Sequence, residues 1–254
     1  MKIKAIALNT FKEAIRDRVL YLLLFFAAVC IIFSRLLALL TVGDRVKIIK
    51  DVGLSSLSFF GALMAIIIGT QLVYKEIDKK TVFSLLSKPI HRFQFLLGKF
   101  LGLVLTLFIM MVLMSVIFLV LVFFHTFTLE WNLLAAIYFI FIEYLLVTAV
   151  AVLFSCFSTP ILSSIFSLSF YLIGHLSWGL ETLINKMSPG LGKTLFRILY
   201  HFLPDLQNFN FKTEIVHHIP VPAKLYIFST VYGLFYTFFI LTLAVWIFRR
   251  RDFI

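Results

Sequence analysis

The chain has 254 residues, of which 62% are hydrophobic and 14% are charged. Soluble domains average about 25% charged and about 45–50% apolar residues, so this composition excludes a soluble domain and indicates an integral membrane protein. The apolar runs are continuous rather than alternating, which argues against a β-barrel. At about 20 residues per helix, the length accommodates about six membrane spans with short loops. The sequence therefore predicts an all-α polytopic protein with a single transmembrane domain over residues 1–254.

The formal net charge is +11. The basic residues flank apolar segments, as residues that set membrane orientation do, and no soluble fold is predicted that would present them to a nucleic acid. Both cysteines, Cys30 and Cys156, lie inside apolar runs, which favours packing over a disulfide or a metal site. We expect no nucleic-acid partner, no cofactor and no metal.

Residues 1–18 predict an amphipathic helix that lies at the membrane surface. Apolar and basic residues occupy opposite faces, and the basic face suits anionic lipid headgroups. A secretory signal is the alternative, because a basic start precedes an apolar run. The run from Val19 to Leu40 is too long for a signal-peptide core of about 7–15 residues. We therefore expect an uncleaved first span.

Six apolar segments are predicted to span the membrane as helices, at about 19–40, 52–73, 95–124, 131–157, 161–180 and 225–248. The third is long for a bilayer core of about 30 Å, and its Gly98 and Gly102 lie one turn apart, which favours a close helix contact. Only Ser158, Thr159 and Pro160 separate the fourth span from the fifth, which predicts a tight hairpin.

Lysine and arginine counts predict the orientation of these spans. With the N-terminus inside the cell, the inner segments carry thirteen of these residues and the outer segments carry eight. Positive charge is enriched on the cytoplasmic side of membrane proteins, so we expect both termini in the cytoplasm and the protein in the plasma (inner) membrane. Residues 181–224 then form a large extracytoplasmic loop.

Two short motifs suggest chemistry but lack the required context. Gly190 to Thr194 reads GLGKT, yet a phosphate-binding loop needs a glycine where Met187 stands and a preceding strand. His217 and His218 are adjacent and cannot both face one metal on a regular helix, and no HExxH motif occurs. The sequence thus predicts no catalytic constellation.

Three ionisable residues lie inside the predicted spans. A charge at the bilayer centre costs about 2.5–3.5 kcal/mol or more, so each of them needs a partner or an interface position. Glu143 lies midway along the fourth span, where a structural hydrogen bond and a substrate- or proton-linked role remain open alternatives. Arg35 and His175 lie nearer span ends, where snorkelling or interface packing is favoured. We expect Glu143 to face the protein interior rather than lipid.

Residues 74–99 form a charged stretch between the second and third spans. Val82, Leu85 and Leu86 fall at helical spacing within it, and Pro89 ends the pattern. Over residues 74–94, five basic residues face two acidic ones. This pattern predicts a short amphipathic helix at the inner membrane surface, with a plain connecting loop as the alternative.

The same stretch resembles the cytoplasmic loop of ABC transporter permeases of the type-2 exporter class. These permeases typically carry an acidic pair, a Gly-Thr step, a leucine-rich turn, a Ser-basic-Pro-x-x-Arg ending and a Gly-Lys at the next span. The matching positions here are Glu76, Asp78, Thr81, Leu85, Leu86, Ser87, Lys88, Pro89, Arg92, Gly98 and Lys99. Lys80 departs from the pattern, which has a glycine there. The N-terminal segment and the closing FRRRDF are similar as well, closest to a branch linked to maturation of multicopper enzymes.

The resemblance implies a mechanism and a set of partners. Two such permeases, identical or related, pair in the membrane, and each binds one cytoplasmic ABC ATPase that hydrolyses ATP. The ATPase grips a coupling helix near residues 76–88. The implied contacts are Glu76, Asp78, Thr81, Val82, Phe83, Leu85, Leu86, Lys88, Pro89 and Arg92. On this reading the chain is an exporter-like transport subunit and not itself an enzyme.

Two other functions stay open from the sequence. A membrane-embedded hydrolase or acyltransferase would need several polar residues at one depth, and Glu143 has no evident intramembrane partner in the sequence. A scaffold that recruits an ATPase without transport would need the same coupling helix, so the sequence does not separate it from a permease. Largely apolar spans favour a hydrophobic or amphipathic cargo only weakly.

Overall fold

The computed structural model describes residues 2–40, 44–78, 91–128, 130–177 and 204–250, together with single residues between 179 and 197. Most of these residues are helical. The α-helices are α1 (Lys2–Ile15), α2 (Arg18–Leu39), α3 (Arg45–Asp78), α4 (Arg92–Thr126), α5 (Asn132–Ser155), α6 (Pro160–His175), α7 (Lys212–Val216) and α8 (Ala223–Arg250). A 3-10 helix, Leu206–Phe209, precedes α7.

Within the described ranges, five helices are long and apolar enough to cross a membrane, namely α2, α3 from Arg45 to Gln71, α4, α5 and α8. The expected fifth span, 161–180, corresponds to α6, which has 16 residues. A helix of that size extends about 24 Å, less than the hydrocarbon core of about 30 Å. The described residues therefore show five helices of spanning length and one shorter apolar helix, and the sixth span stays a prediction. Residues 156–159 alone separate α5 from α6, which confirms the tight hairpin.

The second membrane helix begins earlier than the sequence predicts. Residues 41–51 were expected to form a loop, but α3 already begins at Arg45. Lys50 is 3% exposed, and its Nζ lies 2.6 Å from both carboxylate oxygens of Glu130, which lies two residues before α5. From hydropathy alone, Lys50 is expected to be exposed to solvent. Because the Glu130 carboxylate pairs with its buried ammonium group, the helix can include these charged residues in its first turns.

α1 packs against the first turns of α4. A Cβ at Gly98 would lie 2.7 Å from the Cβ of Ile6, and a Cβ at Gly102 would lie 2.6 Å from the Cβ of Thr10. Small residues at such positions let two helix backbones approach closely. The contact predicted from Gly98 and Gly102 is confirmed, and its partner is α1. The end of the bundle at which α1 lies is called the α1 end, and the opposite end is called the far end.

α5 is the central helix. In its most apolar part 72% of the residues are buried, against 22% for α2. The helices α3, α4, α6 and α8 all contact it. Its position explains why a polar residue halfway along α5 must find its partners inside the protein.

Residues 204–216, which lie in the expected extracytoplasmic loop, pack against the bundle. Leu206 contacts Gly174 of α6, and Phe209 contacts Gly233 of α8. Both side chains are at most 1% exposed. We call residues 204–216 the far-end segment, because they lie next to the end of α6 and the start of α8.

Candidate functional site

Glu143 lies in the middle of α5 and is 1% exposed. It is about 17 Å from the start of the helix and about 18 Å from its end along the axis. At this depth a carboxylate is unfavourable unless other groups hydrogen-bond to it. The side chain faces the protein interior, as the sequence led us to expect.

Two side chains from other helices hydrogen-bond to the Glu143 carboxylate. Ser58 Oγ of α3 donates to Oε2 over 3.3 Å, and His175 Nε2 of α6 lies 2.8 Å from Oε1. The Tyr171 and His175 rings meet edge to face with their centroids 4.6 Å apart. One polar cluster (Ser58, Glu143 and His175) therefore joins α3, α5 and α6.

The neighbouring residue attaches α5 to α3 a second time. Tyr144, which is 1% exposed, donates its hydroxyl hydrogen to the main-chain oxygen of Leu57 over 2.5 Å. That hydroxyl lies directly against Gly61, and a Cβ at position 61 would overlap it. The close approach of the two helices therefore requires glycine at position 61.

His175 also links the polar cluster to the far-end segment. Its main-chain oxygen accepts a hydrogen bond from Gln207 Nε2 over 2.8 Å. The imidazole ring contacts Glu143 while the backbone of the same residue contacts the 3-10 helix. A displacement of the end of α6 would therefore affect both contacts.

Asp205 attaches the far-end segment to Ser177, two residues after α6, and to α8. Its Oδ1 accepts a hydrogen bond from Ser177 Oγ over 2.5 Å, and its main-chain N–H donates to the Tyr232 hydroxyl of α8 over 2.8 Å. Lys212, at the start of α7, brings a positive charge near the polar cluster. Burial lowers the pKa of the Lys212 ammonium, and the negative charge of Glu143 opposes that shift.

The chemistry available to this cluster is hydrogen bonding and proton exchange. A carboxylate and an imidazole at 2.8 Å can share a proton, and α5 and α6 can separate here only if that bond breaks. In the part of the chain that the structure describes, no group of three or more His, Cys, Asp or Glu residues lies together as a metal site would require.

The implied ATPase contacts belong to the loop between α3 and α4. Glu76 and Asp78 lie in the last turn of α3. The contacts at Thr81, Val82, Phe83, Leu85, Leu86, Lys88 and Pro89 lie outside the described residues. Arg92 is the first residue of α4.

Arg92 contacts the end of α8. Its Nη1 donates to the main-chain oxygens of Arg249, over 2.7 Å, and Phe248, over 3.3 Å. One turn later Phe95 stacks on Phe248 with the ring centroids 5.9 Å apart. The last carbonyls of a helix have no intrahelical partner and form the negative end of its dipole, so a guanidinium group is well suited to them. The resemblance implies an ATPase contact for Arg92, whereas the structure shows this contact within the chain.

Comparison with known families agrees with this architecture. Residues 4–253 match the family model described as ABC-2 family transporter protein. The chain belongs to the ABC-2 transporter family. A comparison with curated proteins found no match. With its apolar helices, this ABC-2 transporter is a multi-pass membrane permease, and its family implies association with an ABC ATPase.

A second charged contact attaches α1 to α4 in this ABC-2 transporter. Lys99 is 1% exposed, and its Nζ lies 3.5 Å from Glu13 Oε2 of α1. It lies between Gly98 and Gly102, where the two helix backbones approach closely. The Gly-Lys step that carries part of the family resemblance thus lies at the contact between α1 and α4.

Sequence reasoning missed the pairing of Glu143 with His175. The two residues are 32 positions apart on different helices, so no helical spacing connects them. The hairpin contains a usable signal: counted from the turn between α5 and α6, Glu143 and His175 lie about 20 and 24 Å along their helices. Similar depth on adjacent antiparallel helices would have suggested the contact.

Proposed function

We propose that this ABC-2 permease is an exporter subunit that couples ATP hydrolysis by a separate ABC ATPase to movement of a substrate across the plasma (inner) membrane. Two permeases, identical or related, act with two ATPase subunits. Both chain termini are cytoplasmic, residues 181–224 lie outside the cell, and α6 acts as a short sixth span. From the motif similarity alone, we extend the proposal to the branch linked to maturation of multicopper enzymes.

The observation that supports this proposal is the position of the two ends of the loop between α3 and α4, which carries the motif similarity. α3 ends at Asp78 and α4 begins at Arg92, whose side chain contacts the last turn of α8. α1 packs on the adjacent turns of α4. The proposed ATPase-binding loop is thus attached to the end of the bundle at which both α1 and α8 contact α4.

Within the loop we assign separate tasks to apolar and charged residues. The apolar side chains enter a groove on the ATPase, as an amphipathic helix does in helix-in-groove recognition. The charged side chains set its register. The apolar residues are Val82, Phe83, Leu85 and Leu86, next to Thr81 and Pro89, and the charged ones are Glu76, Asp78 and Lys88.

We assign a mechanical task to the polar cluster of Ser58, Glu143 and His175. Its hydrogen bonds join three membrane helices at one depth, and His175 adds the far-end segment. Transport requires these helices to change their relative positions, so the cluster stabilises one arrangement of the permease. This role needs no reaction to be catalysed by the chain.

Replacing Leu85 and Leu86 together by aspartate is expected to abolish co-purification of the ATPase while the permease still inserts into the membrane. Burying a leucine contributes about 1.5–3 kcal/mol, and about 1.4 kcal/mol corresponds to a tenfold change in affinity. The measurement is the amount of ATPase retained by tagged permease, relative to the amount of permease in the membrane.

A matched control adds the same two charges at the far end. Ile219→Asp with Val221→Asp is expected to retain the ATPase at the level of the parent protein. If the Leu85 and Leu86 variant retains as much ATPase as this control, the proposed coupling helix is rejected.

Cysteine labelling tests the proposed orientation. Cysteine replaces Lys80 in one variant and Ile219 in another, both with Cys30 and Cys156 changed to alanine. A membrane-impermeant maleimide is expected to label position 219 in intact cells and position 80 only after permeabilisation. The reverse pattern would place the loop outside the cell and refute coupling to a cytoplasmic ATPase.

A further inference from the structure

Arg92 is the first residue of α4 after the proposed coupling loop, and among the described residues it contacts the end of another membrane helix. Its guanidinium Nη1 donates to the main-chain oxygens of Phe248 and Arg249. The rings of Phe95 and Phe248, 4% and 1% exposed, stack one turn further along. A polar contact and an apolar contact therefore join the start of α4 to the end of α8.

The next turns of α4 carry a separate set of contacts, to α1. Gly98 and Gly102 allow the helix backbones to approach, and Lys99 pairs with Glu13. The first turns of α4 thus contact two different helices at successive positions. The contacts to α8 involve Arg92 and Phe95, whereas those to α1 involve Gly98, Lys99 and Gly102.

Arg92 donates its hydrogen bonds to main-chain atoms, and such a contact can pass a movement of α4 to the backbone of α8. The last carbonyls of α8 belong to a continuous helix of 28 residues, so a group bound to them is attached to the whole helix rather than to one rotatable side chain. The dipole of α8 places partial negative charge at these atoms, which favours a cation there. An arginine at position 92 meets both requirements.

We propose that Arg92 is a positioning residue that carries movement of the coupling loop to α8, while α1 receives it through the separate contacts at Gly98, Lys99 and Gly102. This inference rests on the proposed function, because it takes the loop to be the place where the ATPase acts. It replaces the ATPase contact implied for Arg92 by a role inside the permease.

The test uses the tagged full chain, isolated from its native cells with its ATPase and placed in lipid nanodiscs. One nitroxide spin label is attached to a cysteine at Thr242, on the exposed side of α8, or at Leu8 of α1, with Cys30 and Cys156 changed to alanine. In the parent complex, the spectrum at each position is expected to change on addition of Mg-ATP and vanadate. In Arg92→Gln the change at Thr242 is lost, the change at Leu8 is kept, and the ATPase is retained.

Arg249→Gln is the matched control. It removes the same charge at the same end of α8 but leaves the main-chain oxygen that Arg92 binds, so both spectral changes are expected to persist. Arg92→Lys keeps a charged donor near these carbonyls and is expected to restore most of the change at Thr242. If Arg92→Gln does not reach the membrane, Arg92→Met takes its place, because it also removes the donors to these carbonyls while keeping an apolar side chain of similar length, and the same loss at Thr242 is expected.

The outcomes separate this inference from the proposed function. A parent chain that carries no ATPase refutes the proposed function, and the role of Arg92 with it. If Arg92→Gln retains the ATPase and the spectrum at Thr242 still changes as it does in the parent complex, the inference is overturned and the proposed function stands. Loss of the responses at both Thr242 and Leu8 in Arg92→Gln overturns it too, because the two sets of contacts would then not be separate.

Discussion

Gly61→Val is expected to remove the folded protein from the membrane. A side chain at this position overlaps the hydroxyl of Tyr144, which is 1% exposed and bonded to the main-chain oxygen of Leu57. Overpacking a core costs about 1–3 kcal/mol, and losing the packing of a large aromatic ring costs about 3–5 kcal/mol. Because folded proteins are stable by only about 5–15 kcal/mol, little stability remains. The measurements are the yield of monodisperse protein in detergent and its thermal unfolding midpoint.

Gly179→Ala is the control for this substitution, since among the described residues no atom beyond its chain neighbours and its own helix backbone lies within 4 Å of a Cβ at that position. Its yield and unfolding midpoint are expected to match the parent protein. Gly61→Ala combined with Tyr144→Ala is expected to destabilise by less than the sum of the two single changes, because removing the ring removes the overlap. A Gly61→Val protein that purifies with the parent's unfolding midpoint would show that α3 and α5 do not approach as described.

His175→Leu is expected to destabilise the protein more than Glu143→Leu. It leaves Ser58 as the remaining hydrogen-bond donor to the Glu143 carboxylate among the described residues. Removing one partner of a buried pair costs about 3–5 kcal/mol, whereas replacing both partners by apolar residues is often neutral or stabilising. The double variant Glu143→Leu with His175→Leu should therefore recover most of the stability lost in His175→Leu. Thermal unfolding midpoints of the three variants in one detergent test this order.

A functional measurement on the same variants separates stability from transport. If the polar cluster stabilises an arrangement that transport must change, the stable double variant is expected to transport less than the parent. If Glu143→Leu is more stable than the parent and keeps full transport, the carboxylate has a structural role at most. Reconstituted complexes provide this comparison once the substrate is identified.

Local sequence signals predicted the helices well, because the bilayer imposes a length and a composition on each span. The apolar runs at 19–40, 95–124 and 225–248 lie within one residue of, or inside, α2, α4 and α8. The same signals were less accurate for the start of α3, where charged residues belong to the helix, and for the length of α6, which follows a tight turn. α3 begins before its apolar run because Glu130 pairs with Lys50, and such a distant partner leaves no trace in local hydropathy.

The contacts between helices were predicted only in part. Gly98 and Gly102 indicated a close helix contact, but small residues do not specify their partner, and the partner is the N-terminal helix α1. Glu143 was recognised because a carboxylate in a span is rare, whereas His175 was unremarkable near a helix end. Their pairing depends on the antiparallel packing of α5 against α6, which is a tertiary property.

The 34-residue helix α3 has one more consequence. It is about 51 Å long, so a tilt of about five degrees around its midpoint carries its two ends about 2 Å in opposite directions. Lys50 near one end is bound to Glu130, and the chain leaves the other end at Asp78 toward α4. In the proposed topology Asp78 lies at the cytoplasmic end of this lever and Lys50 at its outer end. A small push at Asp78 would then either move Glu130 together with Lys50 or break their ion pair, so the outer end of the permease would respond to the nucleotide state of the proposed ATPase partner.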